Sequence, residues 1–226
     1  MKNLGKFGQA TIFAVSFILF HSLTSLCSWP ESPISPDCFP ASAYGTQSSP
    51  AVARGENSVL VVWEDERITA DRDIFCTRIT NEGSILDPVG IPICTALGPQ
   101  TRARVAAGNQ GFLVVWQDQR HDTYDIYAAR IDVDGNVLDP DGFPVSTGPQ
   151  WEESPDIAWD GTNFLVVWSD DRSMISPDIY GIRIAPSGEI LDGTPIRVSS
   201  ETDMELVPSV TYNGLNYLVA WEVGPG

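Results

Sequence analysis

Histidine is almost missing. The 226 residues hold two, and His21 lies in an apolar N-terminal stretch, which leaves His121. A histidine-rich zinc site is thereby excluded. A Ser-His-Asp triad would rest on His121 alone, with no Gly-x-Ser-x-Gly elbow to present the serine. Cations are also scarce: 13 Lys and Arg stand against 30 Asp and Glu, a net charge of −17. Such a field repels nucleic acid and anionic membrane surfaces, which need basic patches. Four cysteines are present, none at metal-ligand spacing. No useful stretch carries the 3.6-residue apolar period of a helix.

The N-terminus reads as an address. Met1 to Lys6 is basic, Phe7 to Phe20 is largely apolar, and small or polar residues follow at Ser22 to Ser28. This is the order of a secretory signal peptide, expected over residues 1–28, with a retained signal anchor as the alternative. The apolar run is short for a membrane span, which needs about 20 residues. The expectation is a secreted protein, extracellular or periplasmic, that is not an integral membrane protein after signal cleavage. Without the leader the balance is 11 basic to 30 acidic residues, a net charge of −19. Export permits disulfides. Cys38, Cys76 and Cys94 would remain, so at most one internal bridge can form, and its pairing stays open.

What is present in quantity is repetition. Val59-Leu60-Val61-Val62-Trp63 recurs as Phe112 to Trp116, Phe164 to Trp168 and Tyr217 to Trp221, with the tryptophans 53, 52 and 53 residues apart. A fixed period of this size marks a repeat architecture. Each unit reads as four short strands. The first is Pro50 to Ala53 and its counterparts, and the second is the tryptophan segment. Gly55-Glu56, Gly108-Asn109, Asp160-Gly161 and Asn213-Gly214 supply the tight turns between them. The third strand begins at Asp73-Ile74-Phe75, Asp125-Ile126-Tyr127 and Asp178-Ile179-Tyr180. The fourth comes at Ile91 to Ile93, Phe143 to Val145 and Ile196 to Val198.

The expected fold is all-β: a propeller-like array of four-stranded antiparallel blades of about 52–53 residues, in a domain over residues 29–226. Its parts are a lone fourth strand at 34–48, blades at 49–100, 101–153 and 154–206, and a partial blade at 207–226. A fragment of a longer propeller is preferred to a four-bladed ring, because an open blade exposes unpaired edges.

Val-Val-Trp-x-Asp-x-Arg followed by Asp-Ile-Tyr, Arg-Ile and Leu-Asp-Pro resembles propeller-type repeats of large exported bacterial proteins, over residues 34–226. The resemblance implies the fold and assigns no activity. The chain lacks the Ser-x-Asp-x-Gly-x-x-Trp box of sialidases, the Gly-Gly pair of kelch blades and the Trp-Asp ending of WD40 blades.

The most regular polar motif follows the second strand: Asp65 and Arg67, Asp118 and Arg120, Asp170 and Arg172. Propeller topology gathers Glu64, Glu66, Asp122, Asp171, Glu152, Glu153, Glu201, Asp203 and Glu205 on the same face. As a ligand face this set would suit a polar ligand or Ca²⁺. As scaffolding, each Asp would accept backbone N–H bonds and each Arg would bridge to a neighbouring blade. Recurrence in every complete unit favours scaffolding, and no cofactor is expected otherwise. Asp132-Val133-Asp134-Gly135-Asn136 has the opening of a calcium loop but reads better as a hairpin turn. Trp151 has no counterpart in the other units and could stack on a sugar ring or fold back onto the surface.

The preferred function is an exported, non-enzymatic binding or scaffold module whose partner is a protein or carbohydrate. The alternative is a carbohydrate-active enzyme of glycoside hydrolase type that uses a carboxylate pair. Acids that break the repeat near Trp151 would favour the enzyme. Symmetric, salt-bridged acids would favour the scaffold.

Overall fold

The computed structural model describes residues 45–68, 71–199 and 203–224. These belong to the second of two units, Ser35–Gly226. The signal segment, Ile34 to Pro40 with Cys38, and Glu201 lie outside the described residues. Among the described residues every regular element is a strand, and no helix is long and apolar enough to cross a membrane.

Blade one comprises β1 (Gln47–Arg54), β2 (Ser58–Asp65), β3 (Asp73–Thr80) and β4 (Ile91–Cys94). Blade two is β5 (Gln100–Gly108), β6 (Gly111–Asp118), β7 (Asp125–Ile131) and β8 (Phe143–Ser146). Blade three is β9 (Glu152–Trp159), β10 (Phe164–Asp170), β11 (Asp178–Ile184) and β12 (Ile196–Arg197). A two-stranded sheet of β13 (Met204–Tyr212) and β14 (Tyr217–Gly224) follows. Each sheet is antiparallel with its strands in sequence order. The first strands β1, β5, β9 and β13 lie against one another in succession and form the inner row.

The second strands explain why the sheets stack. In an ordinary half-buried strand alternate residues face water. Here Leu60, Val61, Val62 and Trp63 are all buried, because both faces of the sheet are covered. Leu60 and Val62 meet Phe112, Val114 and Trp116 in one core between blades one and two. Leu113 and Val115 turn the other way and meet Phe164, Val166 and Trp168 between blades two and three. Val167 joins Val210 in a third. Each fully buried side chain of this kind contributes about 1.5–3 kcal/mol, so the shared cores hold the array together.

One recurring feature was not expected. Each inner strand carries a bulge whose residue sits at positive φ: Ser49 at 52°, Arg102 at 55°, Ser154 at 56° and Val207 at 50°. The residue after the tryptophan of the preceding blade serves it. Glu64 accepts the Arg102 backbone N–H at 2.9 Å, and Gln117 accepts that of Ser154 at 3.0 Å. The bulge is thus an inter-blade latch.

Candidate functional site

The Asp–Arg motifs fold into a local stack repeated three times. Trp63, Trp116 and Trp168 donate their indole N–H to Asp65, Asp118 and Asp170 at 2.7, 2.8 and 2.9 Å. Each Asp also accepts the backbone N–H of the Arg two residues on, at 2.9 Å. The guanidinium pairs with the same carboxylate and lies over an aromatic ring: Arg67 over Phe75, Arg120 over Tyr127 and Arg172 over Tyr180, at 4.4, 3.9 and 4.1 Å. These bonds keep the buried Asp65 carboxyl below its ordinary range, although burial alone would raise it. The bridging expected of these arginines holds at Arg120, whose guanidinium donates to Cys94 Sγ of blade one at 3.4 Å, and is corrected for Arg67 and Arg172. Arg67 and Arg120 reach carbonyls of their own blade, Val89 and Asp141. It is Arg78 and Arg130 that reach the next blade, at Val133 O and Ser187 O, because the turns after the third strands project there.

The ligand face needs a second correction. Glu64, Asp65, Asp118, Glu152, Asp170 and Glu205 do not stand on an open face; all are buried. They sit at strand ends, where the sheets close over them. Glu152 illustrates the cost. It opens an inner strand where blades one and two have Gln47 and Gln100. Burial pushes its carboxyl up to about 7, against a hydrogen bond from Ser146 that favours the ion. Asp73 is likewise pushed up to about 6, by burial first and by the charge of Asp65 second. Asp132 accepts N–H bonds from Asp134 and Asn136, as a turn does. Among the described residues no group of three or more His, Cys, Asp or Glu is placed to hold a metal ion. Cys76 and Cys94 are buried free thiols.

The symmetry fails in blade three, and an open cleft lies there. Blade one places a short residue on the inner strand and an acid on the second: Ser48 faces Glu64. Blade two has Thr101 facing Gln117. Blade three reverses the order, with Glu153 on β9 facing Ser169 on β10. Ser169 is too short to serve as a latch. Its hydroxyl instead donates to Glu205 O at 2.8 Å. The space a Glu or Gln would fill is left as a cleft of about 220 Å³ lined by Trp151, Glu153, Ser169, Asp171 and Pro177.

Of the two acids of this cleft, Glu153 breaks the repeat, and Asp171 has an acidic counterpart in blade one alone. Glu153 stands where the other units have Ser48, Thr101 and Leu206, and Asp171 where they have Glu66, Gln119 and Gly224. Burial raises the Glu153 carboxyl above its ordinary range, while the charge of Arg102 pulls it back. The Asp171 backbone N–H donates to Trp151 O at 3.0 Å, which ties the loop after β10 to the loop before β9. Trp151 is 46% exposed and packs edge-on against Tyr124, with ring centroids 5.5 Å apart. The half-exposed indole lines the cleft beside the two acids. Of the residues singled out in the sequence, Trp151, Glu153 and Asp171 line this cleft. Asp170 and Arg172 lie behind it in the stack described above.

Known structures agree on the fold. An endo-arabinase from Bacteroides thetaiotaomicron superposes with a TM-score of 0.54 at 16% identity, over 80% of this chain and 72% of that one. An α-L-arabinofuranosidase from Lactobacillus brevis gives 0.51 at 11% identity, over 83% and 70%. A thermostable family-43 glycoside hydrolase gives 0.50 at 16% identity, over 80% and 68%. No family model matches the chain, and no curated protein matches it in sequence. The expectation of a non-enzymatic module is therefore corrected: these structures with the same fold are carbohydrate-cleaving enzymes, which turns the reading to the alternative. The chain shares the all-β, propeller-type fold of these glycoside-cleaving enzymes.

Proposed function

We propose that this chain is a carbohydrate-active module of glycoside hydrolase type, working at the Trp151 cleft in an exported protein. The observation that carries the reading is the inward transfer of an acid in blade three. Glu153 replaces a short residue, Ser169 replaces a long one, and the cleft so opened holds Trp151 and Asp171. Glycoside hydrolysis needs two carboxyl groups in different protonation states flanking the scissile bond. Burial favours the protonated form of Glu153 and so suits it to protonate the leaving oxygen. Asp171, half-buried in the lining of the cleft, is assigned the role of the second carboxyl group. Trp151 offers an apolar face for a sugar ring. The names of the fold relatives direct the substrate search to arabinose-containing saccharides.

The test is product release from arabinan and arabino-oligosaccharides by the protein, by Glu153→Gln and by Asp171→Asn. Release that falls about 10²–10⁴-fold in each variant, the range for loss of a positioned acid or base, supports the assignment. Equal release by all three proteins would overturn it.

A further inference from the structure

The third blade is broken at a second place, on its outer side. In blades one and two the segment before the fourth strand crosses back over the Asp–Arg stack. Gly90 and Gly142 make this possible, with φ of 74° and 76° and close approach to Trp63 and Trp116. Arg67 and Arg120 then find carbonyls at Val89 and Asp141. Asp141 also bridges to blade one: its N–H donates to Ile93 O, and its carboxylate accepts the Thr95 N–H, each at 3.0 Å.

Blade three has Pro195 where the others have glycine. Proline fixes φ near −65° and cannot adopt the crossing conformation. The consequences agree. β12 is two residues long where β4 and β8 have four. Among the described residues no carbonyl accepts from the Arg172 guanidinium, whose side chain is 36% exposed against 23% and 18% for Arg67 and Arg120. Among the described residues no hydrogen bond bridges Thr194 to blade two. A cleft of about 450 Å³ opens instead, with Arg172, Asp170 and Glu152 at its base. Val145 and Thr147, the counterparts of Ile93 and Thr95, line one wall. Glu152 is 3% exposed, and its Oε2 has no hydrogen-bond partner.

From this geometry we infer that the outer cleft of blade three is a second, non-catalytic binding site for a neutral saccharide. The occupant must replace what the crossing segment supplies in blade two: an acceptor for the arginine, an acceptor for the threonine N–H and a donor to the carbonyl beside it. Neighbouring hydroxyls of a sugar ring offer donors and acceptors together. Asp170 and Glu152 outnumber Arg172, which disfavours an anion such as a uronate. Ile182, Ile190 and Pro195 present apolar walls to the C–H faces of the ring. This site does not depend on turnover at Trp151.

Gly193 provides a clean test. It lines the cleft, its φ is not in the left-handed region, and an added Cβ would meet nothing within 4 Å. Gly193→Phe should fill the cleft without disturbing the fold, which an unchanged melting temperature checks. Calorimetric titration with arabinohexaose, xylohexaose and trigalacturonate is run on Trp151→Ala/Glu153→Gln, a background that lacks the stacking surface and the acid of the first cleft. Binding of at least one neutral hexaose at one site, weakened at least tenfold by adding Gly193→Phe, supports the inference. Absence of neutral binding in this background, indifference to Gly193→Phe, or preference for trigalacturonate would overturn it. The hydrolytic reading stands or falls separately, on product release.

Discussion

Replacing Glu152 with glutamine should make the protein more stable in base and flatten its response to pH. Blades one and two already carry Gln47 and Gln100 at this position, so the site accepts the amide. In the folded chain the Glu152 carboxyl is held at about 7 against an ordinary value of 4.5. Burial is the first cause, and the neighbouring charges of Asp170 and Asp125 add to it while Arg172 opposes them. The folded state thus holds a proton that the unfolded chain releases between these two values. Stability from this group is present in full below 4.5 and is lost as the pH rises through about 7. Between pH 5 and pH 8 the loss amounts to about 2–3 kcal/mol, at about 1.4 kcal/mol per tenfold change in proton affinity. For a domain of this size that corresponds to roughly 5–10 °C in melting temperature. Urea unfolding at pH 5 and pH 8 should therefore show Glu152→Gln gaining about 2–3 kcal/mol on the parent across that interval. Asp73, pushed up to about 6, remains in both proteins and leaves a common slope at lower pH. Parallel stability curves for parent and variant would refute the reasoning.

Two further outcomes follow from the same packing. Gly142→Ala should cost at least about 1–3 kcal/mol, since its methyl group would fall 2.5 Å from the Trp116 ring at a φ that side chains resist. Gly90→Ala, 3.0 Å from Trp63, should cost less, and paired urea curves give the order. Cys76 and Cys94, each buried and pushed up to about 12, should not react with a thiol reagent at pH 8 until denaturant is added; prompt labelling of either would contradict their burial.

The fold was legible because its determinants are local and repeated. Val-Val-Trp segments at a fixed period, turn residues between them and an Asp at the head of each third strand defined the sheets before any contact was known. The candidate site was legible only in part. Trp151 stood out because nothing matched it. Glu153 and Asp171 did not, because among 30 acids their distinction is positional. An acid on the inner strand differs from one on the second strand only once the Ser48–Glu64 and Glu153–Ser169 pairs are seen face to face. Glu152 was misplaced on an open face for a related reason. Its neighbours in the repeat, Gln47 and Gln100, gave a hint that the position is enclosed, but closure over it depends on loops from adjacent blades. The substitution of Pro195 for Gly90 and Gly142 was visible in the sequence, yet its effect required the crossing segments to be known.

The most direct measurement of the central claim compares leaving groups. A general acid matters when the departing oxygen needs a proton and matters little when it leaves as a stabilised phenolate. Glu153→Gln should lose about 10²–10⁴-fold in kcat on an arabino-oligosaccharide and less than about tenfold on a dinitrophenyl arabinoside. Equal losses on both substrates, or no loss on either, would contradict the assignment of Glu153 as the proton donor of the Trp151 cleft.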